Sequence, residues 1–391
     1  MEYGRTIISQ RIISTALAAI VAVSVILFAY GRYQQKPVVV EKREAAGNPA
    51  IRVRNPGNYV KVLSIDGNGI RMIPALQCLA YLEMRSGKPI WELFDMMVGT
   101  SSGGLIVAAL AAPDETGKAR FTAQQLLEAY PKLLSRMHAA PLVHPLLSLE
   151  GRTAPKFLTR ERQRVLIDLF GKTTQVGETL TTIILPAFVL EQRSPFFFAS
   201  DQGKSTIPGD GPGRAPIEAG DYFLADAVIA ATGDPAVFAP SRITNVEGEQ
   251  TLTFTGAQLY AGNPTILALG EALLRFPKRQ CVVISLGGGT VPTDVPAKPG
   301  GWDAIASPDQ MVGAAIDGSA VTISHASALL HRFGSGPVAA YIRLDPTLPA
   351  SAADPGNFSK ANVQELEKAG ARLTTEKTAT LDRTADFLAA P

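Results

Sequence analysis

Residues 94–110, FDMMVGTSSGGLIVAAL, contain a short apolar run, a turn rich in glycine and serine, and a second apolar run. The first run predicts a buried strand over residues 94–98, and the second predicts a buried helix over residues 105–112. A serine between glycines at such a strand-to-helix turn lies on a tight bend that exposes its hydroxyl. Ser101 is therefore the candidate nucleophile of this chain.

The surroundings of Ser101 favour that chemistry. It lies at the predicted start of a helix, where unpaired N–H groups and a partial positive charge stabilise a developing oxyanion. Gly99 and Gly103, the elbow glycines, let backbone and substrate approach closely. The alternative is a Gly/Ser-rich turn that only caps the helix. The position directly after a buried strand favours the nucleophile elbow.

A second glycine-containing turn precedes the first. Residues 60–65 predict a buried strand, and a helix is expected over residues 74–85. Between them, the N–H groups of Gly67 and Gly69 could line an oxyanion hole. A phosphate-binding loop would look similar, but Met72 stands where the dinucleotide fingerprint needs a glycine. Nucleotide binding is therefore disfavoured.

Strand and helix patterns alternate along the rest of the chain, which is typical of an α/β fold with a mostly parallel central sheet covered on both faces. Residues 200–220 are rich in Gly, Pro and Asp and predict a surface loop. The remaining predicted elements are strands over residues 182–191, 251–254, 281–286 and 339–344 and a helix over residues 265–276.

The N-terminal region predicts one transmembrane helix. After a flank of residues 1–11, nineteen residues from Ile12 to Tyr30 carry no charge, which is long enough to cross a bilayer. A secretory signal peptide and a buried core helix are the alternatives, and the length and flanking charges favour an uncleaved anchor. Positive charge is greater after this segment than before it, so we expect a membrane protein with its large domain in the cytoplasm.

Three further regions follow the anchor. Residues 31–58 mix charges with proline and glycine and predict a linker. Residues 59–345 form the predicted α/β domain. Residues 346–391 predict a helical extension packed on that domain, with Val363, Leu366 and Leu373 on one stripe.

Composition narrows the possible partners. Lys and Arg number 37 against 35 for Asp and Glu, so no global positive field favours nucleic acid. The chain has two cysteines and four histidines, without metal-ligand spacing around them. We therefore expect no metal and no other cofactor. No feature of the sequence indicates the oligomeric state.

Several stretches together resemble the patatin-like phospholipase family. VLSIDGNGIRMIPA (62–75) is similar to its D-G-G-G-x-R-G segment, and FDMMVGTSSGGLIVAAL to its nucleophile elbow. The likeness continues through DAVIAATGDPAVFAP, GAQLYAGNPTILAL, VVISLGGGT and YIRLDP. The resemblance implies a three-layer α/β fold and a Ser-Asp dyad that hydrolyses acyl esters of phospholipids or other lipids, without a metal. It makes Ser101 the nucleophile and assigns the oxyanion loop to Gly67, Asn68, Gly69 and Arg71.

The sequence departs from the family pattern at the base. Thr255 stands where the resemblance places the dyad aspartate, and a threonine hydroxyl cannot serve as a general base at neutral pH. A carboxylate from elsewhere, such as Asp234 or Asp201, could replace it, and a Ser, acid, His arrangement with His325 is also conceivable.

Asn68 and Met72 also replace family glycines, which places side chains in the predicted oxyanion loop. Two hypotheses follow from these departures. The chain is either a membrane-anchored lipid acyl hydrolase with a substitute base, or a catalytically impaired relative that acts as a lipid-binding or interaction module.

Overall fold

The computed structural model describes residues 38–39, 58–140, 154–201, 206–207, 217–218, 220–235, 237–292, 308–332 and 336–390. The predicted flank, the predicted anchor from Ile12 to Tyr30 and most of the predicted linker lie outside these residues. Within the described part of the chain, no helix combines the length and the apolar character needed to cross a membrane.

A single mixed sheet forms the centre of the fold. Its strands are β1 (Val38–Val39), β2 (Tyr59–Ile65), β3 (Met96–Gly99), β4 (Thr182–Val189), β5 (Ser194–Ala199), β6 (Thr206–Ile207), β7 (Ile217–Glu218), β8 (Ser241–Thr244), β9 (Thr251–Gly256), β10 (Gln280–Leu286) and β11 (Val338–Leu344).

The strand order along the main path is β1-β8-β9-β4-β3-β2-β10-β11, and β5, β6 and β7 branch from β4. Within the run β4-β3-β2-β10-β11, each pair of adjacent strands is parallel. Strands β5 and β9 both pair antiparallel with β4. The carboxyl ends of β2 and β3 therefore lie side by side, which brings the two glycine-containing turns together.

The helices are α1 (Ile73–Ser86), α2 (Ile90–Leu93), α3 (Ser102–Ala111), α4 (Ala123–Met137), α5 (Thr159–Phe170), α6 (Leu224–Ala231), α7 (Gln258–Ala261), α8 (Thr265–Arg275), α9 (Pro308–Arg332), α10 (Lys360–Glu376) and α11 (Thr378–Ala389). Short 3₁₀ turns lie at Gly69–Met72, Val176–Glu178 and Ala350–Ala352.

The sheet separates two hydrophobic cores, which makes the domain three-layered. On β2, Leu63 and Ile65 enter the larger core, while Val60 and Val62 enter the smaller one. Alternate residues of a strand point to opposite faces of the sheet. A strand whose residues are apolar on both faces therefore needs a covering layer on each face. Helices α8 and α9 cover the smaller core, and the remaining long helices cover the larger one.

Most predicted elements are present with shifted ends. The strand expected over residues 94–98 begins at Met96, because the Asp95 carboxylate accepts the Lys61 N–H at 2.9 Å outside the ladder. The following helix begins earlier than expected, at Ser102. The loop prediction for residues 200–220 is wrong in part, since β6 and β7 lie within it. The sequence analysis also missed β5 and β8, whose short runs pair antiparallel with neighbouring strands.

The C-terminal segment packs against the domain. Leu366, Leu373 and Leu381 are buried in the larger core. The Lys61 ammonium donates to the Leu388 carbonyl at 3.0 Å, near the end of α11. The Pro355 carbonyl accepts the Ile70 N–H at 3.0 Å. Residues after 345 therefore support the turn that follows β2.

Candidate active site

The turn after β3 holds Ser101 in a strained conformation. Its φ of 49° and ψ of −120° are unusual for a residue other than glycine. A Cβ at Gly103 would overlap the Asp66 carbonyl oxygen, and one at Gly99 would overlap the Gly103 carbonyl. The two elbow glycines thus permit close backbone contacts on both sides of Ser101.

A carboxylate lies within hydrogen-bond distance of this serine. Ser101 Oγ donates to Asp234 Oδ2 at 2.8 Å. Asp234 belongs to the loop between α6 and β8, and Ser101 is only 7% exposed. The hydroxyl and the carboxylate thus lie within the distance that proton transfer from a serine nucleophile to a base needs.

The environment of Asp234 adjusts its basicity. Burial raises the pKa of this carboxyl to about 6, because desolvation disfavours the charged form. The hydrogen bond from Ser101 and the positive charge of Arg162 act in the opposite direction. A carboxyl with a pKa near 6 is largely ionised at neutral pH and is still basic enough to share a proton.

Thr255 lies beside this pair and has a different role from the aspartate that the resemblance places there. Its hydroxyl donates to the Gly233 carbonyl at 2.8 Å, and the Gly256 N–H donates to the same oxygen at 2.8 Å. Both bonds hold the residue directly before Asp234. A Cβ at Gly256 would overlap Asp234 Oδ1. The end of β9 therefore anchors and accommodates the loop that carries the carboxylate.

The N–H groups of the turn after β2 point to one place. Those of Asn68 and Gly69 donate to Ser102 Oγ at 3.0 and 2.8 Å. The Gly67 N–H donates instead to the Gly262 carbonyl at 3.0 Å. Two adjacent amides are thus directed at one oxygen, which belongs to the residue next to Ser101.

Arg71 fastens this turn. Its Nε donates to the Gly288 carbonyl at 3.0 Å, and its two terminal nitrogens donate to the carbonyls of Gly289 and Ala353. The guanidinium thus links the turn after β2 to the turn after β10 and to the C-terminal segment.

Asp66 supplies a second fastening. Its carboxylate accepts two hydrogen bonds from Arg343, at 2.9 and 2.6 Å, and Arg343 also contacts Asp345 at 3.2 Å. A buried bidentate pair of this kind restricts geometry more than it adds stability. The pair therefore fixes the end of β2 relative to β11.

Asn68 and Met72 stand at positions where the family has glycine. In this chain, neither position adopts backbone dihedrals that require glycine. Asn68 has φ −150° and Met72 has φ −78°, both open to any side chain. The Asn68 side chain lies against Gly288, and Met72 is fully buried in the larger core. The turn therefore accommodates both side chains through its neighbours.

The other groups considered as a base lie elsewhere. Asp201 pairs with Arg275, with both of its carboxylate oxygens 2.8 Å from guanidinium nitrogens. His325 is exposed on α9, as its helical spacing predicted, whereas Ser101 is buried.

Two residues near the site were not found from the sequence. Ser102 accepts the amides of the oxyanion loop, and its place beside Ser101 was a signal that could have identified it. Arg162 is fully buried next to the Asp234 loop. It lies in the charged run TRERQRVLIDLF, where nothing in the sequence separates it from its exposed neighbours.

No family model matches the chain. Among curated proteins, Patatin-like protein 1 of Arabidopsis thaliana is 26% identical over 361 residues, covering 82% of this chain and 83% of the relative. Patatin-like protein 2 of the same plant is 30% identical over 261 residues and 60% of each chain. Another Arabidopsis relative, named Probable inactive patatin-like protein 9, is 27% identical over 258 residues and covers 61% of this chain and 62% of its own length.

Two solved structures align with low scores. VipD from Legionella pneumophila is 12% identical with a TM-score of 0.33, covering 82% of this chain and 67% of that one. Human GIVD cytosolic phospholipase A2 is 10% identical with a TM-score of 0.39, covering 87% and 61%. The curated relatives found are patatin-like proteins, so the resemblance of this chain to the patatin-like family is confirmed.

Proposed function

We propose that the chain is a membrane-anchored lipid acyl hydrolase in which Ser101 is the nucleophile and Asp234 is the general base. The observation that supports this most directly is the 2.8 Å hydrogen bond between Ser101 Oγ and Asp234 Oδ2 at a strained, buried elbow. The carboxylate that the family places at position 255 is supplied from the neighbouring loop.

In the proposed reaction, ionised Asp234 accepts the Ser101 proton as Oγ attacks the ester carbonyl carbon. The tetrahedral intermediate collapses, the ester C–O bond breaks, and protonated Asp234 returns the proton to the departing alkoxide. Asp234 then takes a proton from water as the water oxygen attacks the acyl-serine carbonyl carbon. When this second intermediate collapses, the bond between the acyl carbon and Ser101 Oγ breaks, protonated Asp234 returns the proton to Oγ, and the fatty acid leaves. The carboxylate and the serine end as they began.

The oxyanion of each intermediate would be held by the N–H groups of Asn68 and Gly69. These amides lie within 3.0 Å of Ser102 Oγ, beside the nucleophile. An anionic oxygen is a stronger acceptor than a hydroxyl, so it competes successfully for both donors. Arg71 and the Asp66–Arg343 pair would maintain the turn in this position.

The proposed substrate is an acyl ester of a membrane lipid. Residues 12–30 would tether a cytoplasmic domain to the bilayer, and tethering raises the effective concentration of lipid at the site. Several curated relatives are named patatin-like proteins, and the resemblance to that family supports an acyl ester of a lipid as the substrate.

Labelling with a fluorophosphonate tests the activated serine. We expect the full chain, purified in mild detergent, to be labelled close to stoichiometrically and to hydrolyse a short-chain fluorogenic ester. Ser101→Ala should abolish both signals, because the nucleophile is then missing. Heat-denatured wild type controls for unspecific labelling.

Equal labelling and equal background hydrolysis by wild type and Ser101→Ala would contradict the proposal. That result would favour the impaired relative, a lipid-binding or interaction module, which rests on Thr255 occupying the family aspartate position. The presence of Asp234 beside Ser101 is the reason why we favour the enzyme.

The anchor has its own test. We expect full-length protein in membranes to stay in the pellet after alkaline carbonate extraction, because an apolar span of nineteen residues is not displaced by removing charge contacts. A variant lacking residues 1–31 should move to the supernatant. Release of the full-length chain would show that residues 12–30 do not span the bilayer.

A further inference from the structure

We propose that Arg162 is a positioning residue whose buried positive charge keeps Asp234 in the ionised, proton-accepting form. This inference rests on the proposed function, since it assigns a role to Arg162 in the reaction of the Ser101–Asp234 pair. Arg162 lies on α5, 72 positions before Asp234 in the chain.

Arg162 is fixed in place by three contacts around the Asp234 loop. Its Nη1 donates to the Thr232 carbonyl at 2.8 Å, and Nη2 lies 3.5 Å from Ser241 Oγ. The guanidinium carbon lies 4.0 Å from the centre of the Phe238 ring. Thr232 and Phe238 belong to the segment that contains Asp234. The arginine thus packs along the inner side of this segment.

The charge of this guanidinium is not neutralised by direct contact. The side chain is fully buried, and no ion pair is formed by it within the part of the chain that the structure describes. Its Nε has no acceptor among those residues. A buried cation without a paired anion is costly, so a role for its charge has to be sought nearby.

The anion that interacts electrostatically with Arg162 is Asp234. Arg162 Nη2 lies 3.4 Å from the position that a Cβ would occupy at Gly233, the residue before Asp234. Asp234 is half-buried, and its Oδ1 is a buried atom without a hydrogen-bond partner among the described residues. The guanidinium, which is held at Thr232, and the carboxylate of Asp234 therefore lie at the same short loop, and neither is in an ion pair within the described part of the chain.

Other ionisable groups around the pair contribute little charge. His138, at the end of α4, lies against Phe238, and burial lowers its pKa to about 4, so it is neutral at pH 7. Lys156 interacts electrostatically with His138. The group facing the Asp234 carboxylate from α3 is the uncharged Ser101 hydroxyl. Among the described residues, Arg162 is thus the cation whose charge acts on Asp234.

The direction of the effect follows from charge. Burial raises the pKa of Asp234, and Arg162 lowers it toward its ordinary range. Removing the cation should raise the pKa further, by roughly one unit for a partner at this range. The acid limb of the plot of kcat/KM against pH should move to higher pH by the same amount. At pH values well above the pKa of Asp234, kcat/KM should change less.

The test compares Arg162→Gln and Arg162→Met with Arg162→Lys in the full chain, using rates normalised to the fraction labelled by fluorophosphonate. Gln keeps a donor for the Thr232 carbonyl without the charge, and Lys keeps the charge. Arg164→Met, which removes an exposed arginine on the same helix, is the control. Carbon-13 NMR of protein labelled at its aspartates measures the titration midpoint of the Asp234 carboxyl, and the Asp234→Asn variant assigns its signal. This measurement does not depend on whether the protein hydrolyses esters.

We expect the midpoint to rise in the Gln and Met variants and to stay near that of wild type in the Lys and Arg164→Met variants. Unchanged carboxyl midpoints in Arg162→Gln would overturn the proposal, as would an equal fall in rate at every pH. Wild type that does not hydrolyse esters but shows the carboxyl shift would remove the proposed function and leave the electrostatic pairing intact.

Discussion

Replacing Asp234 with asparagine is expected to lower kcat/KM for ester hydrolysis by about a hundredfold to ten-thousandfold, the usual contribution of general-base assistance. Asparagine can still accept a hydrogen bond from Ser101, but its amide oxygen is too weakly basic to take the proton. The measurement is steady-state hydrolysis of a fluorogenic ester between pH 5 and 9.

The pH profile gives a second readout of the same variant. In wild type, kcat/KM should rise with pH around a midpoint of about 6, because Asp234 acts in its ionised form and its pKa is raised to about 6. Asp234→Asn should remove that acid limb. Asp201→Asn is the matched control, since Asp201 is paired with Arg275. Comparable rates for Asp234→Asn and Asp201→Asn would show that Asp234 is not the base.

Moving the carboxylate back to the family position should restore activity. We expect the double variant Asp234→Ala/Thr255→Asp to hydrolyse esters at least about tenfold faster than Asp234→Ala alone, which is part of the range that a general base supplies. The reason is proximity, since the Thr255 hydroxyl lies 2.8 Å from the carbonyl of the residue before Asp234. Ester hydrolysis by the single and double variants measures the recovery.

Thr255→Asp alone should instead lower the rate of the wild-type chain. Two buried carboxylates in one site repel each other, and the pKa of one of them rises strongly. The hydrogen bond to Gly233 is also lost. Thr251→Asp, at an exposed position of the same strand, is the control and should recover nothing. A double variant as slow as Asp234→Ala would show that position 255 cannot serve Ser101.

The contrast between positions 234 and 255 shows how far the sequence could predict the site. From the sequence, the expected aspartate is absent at position 255, and Asp234 and Asp201 are alternatives. Asp234 and Ser101 are separated by 133 positions, and no local pattern indicates which distant carboxylate reaches the elbow. The structure distinguishes them because Asp201 is already engaged by Arg275.

The fold was more accessible than the site. Strands β2, β4 and β10 were predicted because they are buried on both faces and so appear as continuous apolar runs. Strands β5 and β8 were missed because their short runs depend on antiparallel partners for their pairing. The pairing partners of a strand are set by the whole sheet and not by its own residues.

The sequence by itself determined the elbow at Ser101 and the glycine turn after β2. Both are local features in which the dihedral demands of a few consecutive residues select glycine and place one serine on a tight bend. Only the tertiary structure decided that Asp234 meets Ser101, that Thr255 anchors the Asp234 loop, and that Arg162 lies behind it. Proton transfer and charge interactions depend on distances between side chains that are far apart in the chain, and packing alone sets those distances.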